Sequence, residues 1–152
     1  MNDLSIMTRD QIYQTCCTNL QQREAELVTA ITELSAGTEG KSTAGDKHET
    51  AQAMAQMEQE KLANQLAMVR TQLAQLQRNE ASATGNRIVP GHLIATNKGW
   101  IYLSTALGKV NAGSESVMVI SPQSPLGMKL QGQEAGSRVQ VNGTEFEVQE
   151  VL

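Results

Sequence analysis

The sequence predicts an α+β protein: an N-terminal antiparallel helical hairpin with coiled-coil packing, followed by a small β-rich domain. Three observations lead there. Residues 1–80 contain no proline and hold two long stretches of helical periodicity. All three prolines, Pro90, Pro122 and Pro125, lie after them. That second part alternates short apolar runs with turn-forming pairs such as Asn142-Gly143, the pattern of strands joined by tight turns.

The first helix is expected to start at Thr8, a good N-cap, with Asp10 in the first turn, where its charge complements the helix dipole. Tyr13, Cys16, Leu20, Arg23, Leu27, Ala30 and Leu34 recur at alternating spacings of three and four, so they share one face, with Arg23 as a polar interruption. Gly37 is expected to stop the helix. A second helix is expected from about Lys47 to Asn79, with Leu62, Leu66, Val69, Leu73 and Leu76 as its seam. Met54 and Met57 are out of phase with Leu62, which predicts that the seam drifts there. Each stripe is too narrow to bury alone. An antiparallel hairpin with residues 37–46 as its tip covers both, and so would a bundle formed by oligomerisation. Periodicity does not separate the two, and a monomeric hairpin is the simpler expectation.

Composition shifts near residue 80. The small polar run Glu80-Ala-Ser-Ala-Thr-Gly-Asn86 reads as a connection. The expected organisation is a hairpin at 1–80, a linker at 81–86 and a β-rich domain at 87–152. In the latter, Leu93–Thr96 and Trp100–Leu103 flank the turn Asn97-Lys98-Gly99. Val117–Ile120 is a short apolar strand, and Arg138–Val141 and Glu145–Val151 flank Asn142-Gly143. Ser124, Pro125 and Gly132 bracket a short helix: a cap, a first-turn proline and a terminating glycine. A domain of this size has a thin core, and docking on the base of the hairpin would thicken it.

The net charge is −4 and aromatics make up 3% of the residues. A protein that grips bare nucleic acid needs surplus cations to replace phosphate counterions, and a base-stacking platform needs more aromatic faces. No apolar run has the roughly 20 residues that span a bilayer, so no membrane partner is expected. Met1 to Asp10 lacks a basic stretch followed by an apolar core, so a cytoplasmic location is expected. Cys16 and Cys17 are adjacent and point about 100° apart on a helix, which suits neither a disulfide framework nor a metal cage. The sequence holds no nucleophile–base pair, phosphate-binding glycine loop or Cys/His zinc spacing.

The chemistry lies in Gly45-Asp46-Lys47-His48-Glu49-Thr50-Ala51. Asp followed three residues later by Glu at a helix start is, on its own, a capping box. The same two carboxylates also lie on one helical face and can converge on one cation. His48 lies off that face, and Lys47 suits phosphate or solvent. In this architecture the segment resembles the tip of the Gre family of transcription elongation factors, which reads Gly-Asp-x-x-Glu-Asn-Ala. Gly45, Asp46, Glu49 and Ala51 match, and Thr50 replaces the Asn. The C-terminal half is similar too: Ser124-Pro125-Leu126, then Leu130 and Gly132, then Gly136, Val139 and Val141, in the family's order. Departures are Gln52 and Ala53, where the family has Glu and an aromatic, and a longer tip from Gly37 to Ala44.

The resemblance implies an FKBP-like C-terminal domain and a polymerase-binding factor that is not itself an enzyme. RNA polymerase would be the partner, entered through its secondary channel. Asp46 and Glu49 would hold a second Mg²⁺ jointly with the polymerase active site, so that the polymerase cleaves the backtracked RNA 3′ end. No metal is expected to stay on the factor alone. Ser124, Pro125 and Leu126 would contact the polymerase near the channel mouth. Three rival readings stand beside it. One is a Gre-like regulator that binds the polymerase and inhibits it without cleavage. Its crowded acidic tip is not seen here, where Glu39, Asp46 and Glu49 are set against Lys41 and Lys47. Another is a plain coiled-coil interaction protein, which leaves the Gly45–Ala51 match unexplained. The last is a prolyl isomerase, which needs an aromatic-lined pocket where this half offers only Trp100, Tyr102 and Phe146.

Overall fold

A computed structural model describes the backbone of residues 8–39 and 46–152, and the side chains of 8–36 and 50–152. Two long helices come first, α1 (Arg9–Glu39) and α2 (Asp46–Ser82). Thr8 caps α1 as expected: its Oγ1 accepts from the Gln11 N–H at 3.1 Å, and the Gln11 Oε1 accepts from the Thr8 N–H at 3.5 Å. This reciprocal pair satisfies two otherwise orphaned donors. Gly37 does not stop α1, which runs on to Glu39. A glycine weakens a helix by about 1 kcal/mol relative to alanine but removes no backbone donor. At its other end α2 extends past Asn79 into the small polar run, ending at Ser82.

The two helices are antiparallel. Gln59 Nε2 donates to Ser35 Oγ at 2.6 Å, and Arg70 Nε donates to Glu24 Oε2 at 2.8 Å. Nearer the chain's beginning, Arg9 meets Glu80. As one partner advances the other retreats. Of the expected seam, Leu20, Leu27, Val69 and Leu76 are buried, and Leu62, Leu66 and Leu73 are half-buried. Met54 and Met57 are exposed, as their phase requires, and Ala55 and Gln59 take the inward positions.

Two seam positions on α1 differ from expectation. Ile12 is fully buried where Tyr13 was expected, and Arg23 is exposed while Glu24 lies half-buried. In each case the neighbouring residue resolves the conflict. Ile12 has no polar atom to satisfy, whereas Tyr13 carries a hydroxyl and is only half-buried. Arg23 keeps its guanidinium in water, and Glu24 reaches across to Arg70 instead. That ion pair is partly solvent-exposed and contributes at most about 1 kcal/mol.

The chain divides into two compact units. One is Asn19–Leu73, the distal parts of both helices. The other joins the described part of residues 1–18 to Ala74–Leu152, so that the first turns of α1 and the last turns of α2 pack with the sheet. The sheet has β1 (Leu93–Thr96), β2 (Gly99–Leu103), β3 (Gly108–Ala112), β4 (Glu115–Ile120), β5 (Arg138–Val141) and β6 (Thr144–Val151), with α3 (Pro125–Leu130) between β4 and β5. The strand order is β3-β4-β2-β1-β6-β5. Neighbours are antiparallel except β2 and β4, which run parallel.

Both expected hairpins form. Asn97-Lys98 links β1 to β2, and Thr96 Oγ1 braces it by accepting from the Lys98 N–H at 3.0 Å and donating to the Gly99 carbonyl at 2.7 Å. Asn142 and Gly143 have φ of 51° and 81°, the left-handed pair that a two-residue turn requires. Strand β3 was not anticipated. Its sequence Gly-Lys-Val-Asn-Ala offers only Val110 and Ala112 for burial, and pairing with β4 supplies the rest of its order.

The sheet has two apolar faces. Ile94, Ile101 and Leu103 form one core with Ile88, Leu130, Val139 and Val148, into which Leu126 and Phe146 are partly packed. The register puts Leu93, Tyr102 and Val119 on the opposite face. That face meets the base of the helices: Tyr102 OH donates to Glu80 Oε1 at 3.0 Å, Thr105 Oγ1 to Gln75 Oε1 at 2.9 Å, and Asn79 Nδ2 to the Ser104 carbonyl at 2.9 Å.

Candidate functional site

Asp46 is the first residue of α2, and Glu49 stands three positions on, in the same turn. The backbone therefore holds both on one side of the helix start, at the end of α2 remote in sequence from the sheet. The side chains of Asp46, Lys47, His48 and Glu49 lie outside the described residues, as does Gly45. A helix start is defined to within a residue or two, so the capping and metal-binding roles of Asp46 are both compatible with this placement. The donor set suits Mg²⁺: two carboxylates are hard oxygen ligands, and a hexacoordinate ion keeps the rest of its shell for water or a partner's groups. Among the described residues, no group of three or more His, Cys, Asp or Glu is poised to hold a metal.

The Ser124-Pro125-Leu126 motif starts α3. Ser124 is extended (φ −67°, ψ 158°), and its Oγ accepts from the Gly127 N–H at 3.0 Å while donating to the Ser121 carbonyl at 2.7 Å. Pro125 occupies the first turn and is exposed. Leu126 is half-buried against the core, and Leu130, one turn on, is fully buried. Ser124 is therefore committed to capping and Leu126 is shared with the core. The outward side of α3 presents Pro125, Lys129 and Met128, which is 63% exposed. Sequence reading passed over Met128, because a methionine in a short apolar run gives no sign of which way it faces.

A second cluster carries no sequence signal at all. Arg9 Nη1 donates to the Ala83 carbonyl at 3.1 Å, and Nη2 stands 3.6 Å from Glu80, which also accepts from Tyr102. Burial, and then Glu80, push the Tyr102 phenol above its usual range. Cys16 lies nearby with its thiol pushed up to about 12, by burial first and Cys17 second. Such a thiol stays protonated and is a poor nucleophile. Both cysteines are free and buried. His92 is buried as well, with the Arg9 guanidinium in its neighbourhood. These residues are scattered through the chain, and only folding brings them together. The depression along α2 beside Met57, Lys61 and Met68 is open and shallow. No described helix is long and apolar enough to cross a membrane.

No protein-family model matches the chain, and no curated protein matches it. Among solved structures it is similar to GreA factor homolog 1 of Thermus thermophilus, with 19% identity over 92% of this chain and 94% of that one, at a TM-score of 0.34. A score that low adds nothing to the strand order and helix pairing described above.

Proposed function

We propose that this chain binds RNA polymerase and stimulates the polymerase's own cleavage of backtracked RNA. The observation that carries the reading is a coincidence of motif and position. In the Gly45-Asp46-x-x-Glu49-x-Ala51 sequence, which resembles the Gre tip, the residues from Asp46 to Ala51 fall at the start of the second helix of an antiparallel hairpin joined to a β-rich domain. A helix passes a channel that a globular domain cannot, so the hairpin would bring its tip to a reacting centre while the β-rich domain stays outside. Asp46 and Glu49 would supply carboxylate oxygens to a Mg²⁺ shared with the polymerase; when bound, such an ion neutralises developing charge and orients an attacking water. Two carboxylates bind Mg²⁺ weakly, which fits a site completed only with the polymerase's own ligands. Pro125 and Met128, with the exposed edge of Leu126, would form the apolar contact at the polymerase surface.

The test is RNA shortening in a stalled, backtracked elongation complex, measured alongside binding. Asp46→Asn and Glu49→Gln keep shape and most hydrogen bonding but remove charge. Each is expected to abolish nearly all stimulation while the protein still competes for the polymerase. Loss of a cap alone would cost about 0.5–2 kcal/mol of stability and leave stimulation intact. Cleavage at the unsubstituted rate by both variants would reduce the carboxylates to caps. A wild-type protein that binds without stimulating would be a polymerase inhibitor of the same build.

A further inference from the structure

The turn Val89-Pro90-Gly91-His92 is closed twice. The His92 N–H donates to the Val89 carbonyl at 3.2 Å, and the His92 Nδ1 accepts from the Val89 N–H at 3.0 Å. It is pinned to the end of β2, where Gly91 N–H donates to the Leu103 carbonyl at 2.6 Å and Leu103 N–H donates to the His92 carbonyl at 3.1 Å. It also bears on the helix ends: the side of Gly91 where a side chain would project is occupied by the Asn79 carbonyl of α2. His92 is 2% exposed. An imidazole that accepts at Nδ1 is the neutral form, with its proton on Nε2. A second proton has only Nδ1 to go to, and there it would meet the Val89 N–H head to head.

The charged groups around this joint oppose that second proton. From α1, Arg9 places a guanidinium close enough to His92 to disfavour a further positive charge. From α2 comes the carboxylate of Glu80, which is engaged by Arg9 and by the Tyr102 hydroxyl of β2. Burial is the larger influence and Arg9 the second; hydrogen bonding to the Gly85 backbone works the other way and is smaller, whereas the Val89 N–H donated to Nδ1 itself favours the neutral ring.

We propose that His92 is an acid-opened latch for the joint between the helix ends and the sheet. Uptake of a proton from solvent at Nδ1 breaks the Val89–His92 turn and releases the last turns of α2, with Arg9 of α1, from the end of β2. The sign follows from linkage. The closed joint holds His92 below the ordinary imidazole value of 6.5, whereas the open joint exposes it to water and restores that value. The closed form is therefore fully stable above about pH 6.5 and loses stability as pH falls from there toward the depressed value. Within that window each pH unit multiplies the opening constant by up to about tenfold, the limit for one proton.

Amide exchange resolved by residue in the full chain, from pH 5 to 8 and corrected for intrinsic rates, tests this. Protection at Val89, Gly91 and Leu103 is expected to fall by up to about tenfold per pH unit below 6.5, while Val148 on β6 stays level. In His92→Asn the Oδ1 can accept from Val89 but takes up no proton, and the step should vanish. Should that variant not fold, His48→Gln leaves His92 as the sole imidazole, and its own proton titration must coincide with the Val89 step. Protection that ignores pH in the wild type, a step that survives in a folded His92→Asn, or an imidazole titration that misses the Val89 step would each overturn the latch.

Discussion

Gly91 and Gly99 form a matched pair that isolates what the close approach of helix to turn is worth. Their φ angles are 105° and 113°, both in a region that side-chain-bearing residues rarely adopt, so an alanine is strained at either position. That strain is about 1–3 kcal/mol. Around Gly99 an added Cβ meets nothing within 4 Å. At Gly91 it would overlap the Asn79 carbonyl and stand 2.8 Å from the Ala83 Cβ. Neither obstacle is the end of a flexible side chain, so the last turns of α2 must move away from the turn. Moving them strains the bond from Asn79 Nδ2 to the Ser104 carbonyl, at 2.9 Å, which ties α2 to the sheet. Overpacking of this sort and one weakened, partly buried hydrogen bond together should make Gly91→Ala roughly 2–4 kcal/mol worse than Gly99→Ala. Urea unfolding followed by the fluorescence of Trp100, the one tryptophan, measures both, with circular dichroism as a check because Gly99 adjoins it. Equal destabilisation by the two alanines would show that the helix end yields freely, and the packing account of the joint would fail.

Other consequences are simpler to check. Tyr102→Phe removes a hydroxyl that donates to a carboxylate from a fully buried ring, and it should cost about 1.5–3 kcal/mol in the same unfolding assay; a loss below about 0.5 kcal/mol would mean that Glu80 is satisfied by Arg9 alone. Cys16, with its thiol at about 12, should resist alkylation at pH 8 in the native protein and react once urea unfolds it; rapid native labelling would contradict its burial. Leu126→Asp should weaken polymerase binding, but it also lowers stability because Leu126 is partly packed in the core. Met128→Asp, at an exposed position on the same helix, should weaken binding with the melting temperature nearly unchanged. Unaltered affinity in both would leave α3 with a local structural role only.

Features of this protein that depend on a few neighbouring residues were legible in the sequence. The cap at Thr8, the Ser124 start of α3, the hairpin turns at Asn97-Lys98-Gly99 and Asn142-Gly143, and the repeating leucines of α2 arise from bonds and periodicities within a turn or two of the chain. The acidic pair belongs with them, since its spacing and its place at a helix start are local facts. Tertiary structure decided the rest. Strand β3 owes its order to β4, because its own side chains bury too little to hold it extended. The choice of Ile12 over Tyr13 and of Glu24 over Arg23 turns on what faces them, which a repeat of three and four leaves open. The joint at Arg9, Glu80, His92 and Tyr102 depends on contacts between distant parts of the chain, and no local pattern announces such contacts. Helix ends, a strand and a tight turn must first pack together before a buried imidazole and a guanidinium can oppose one another.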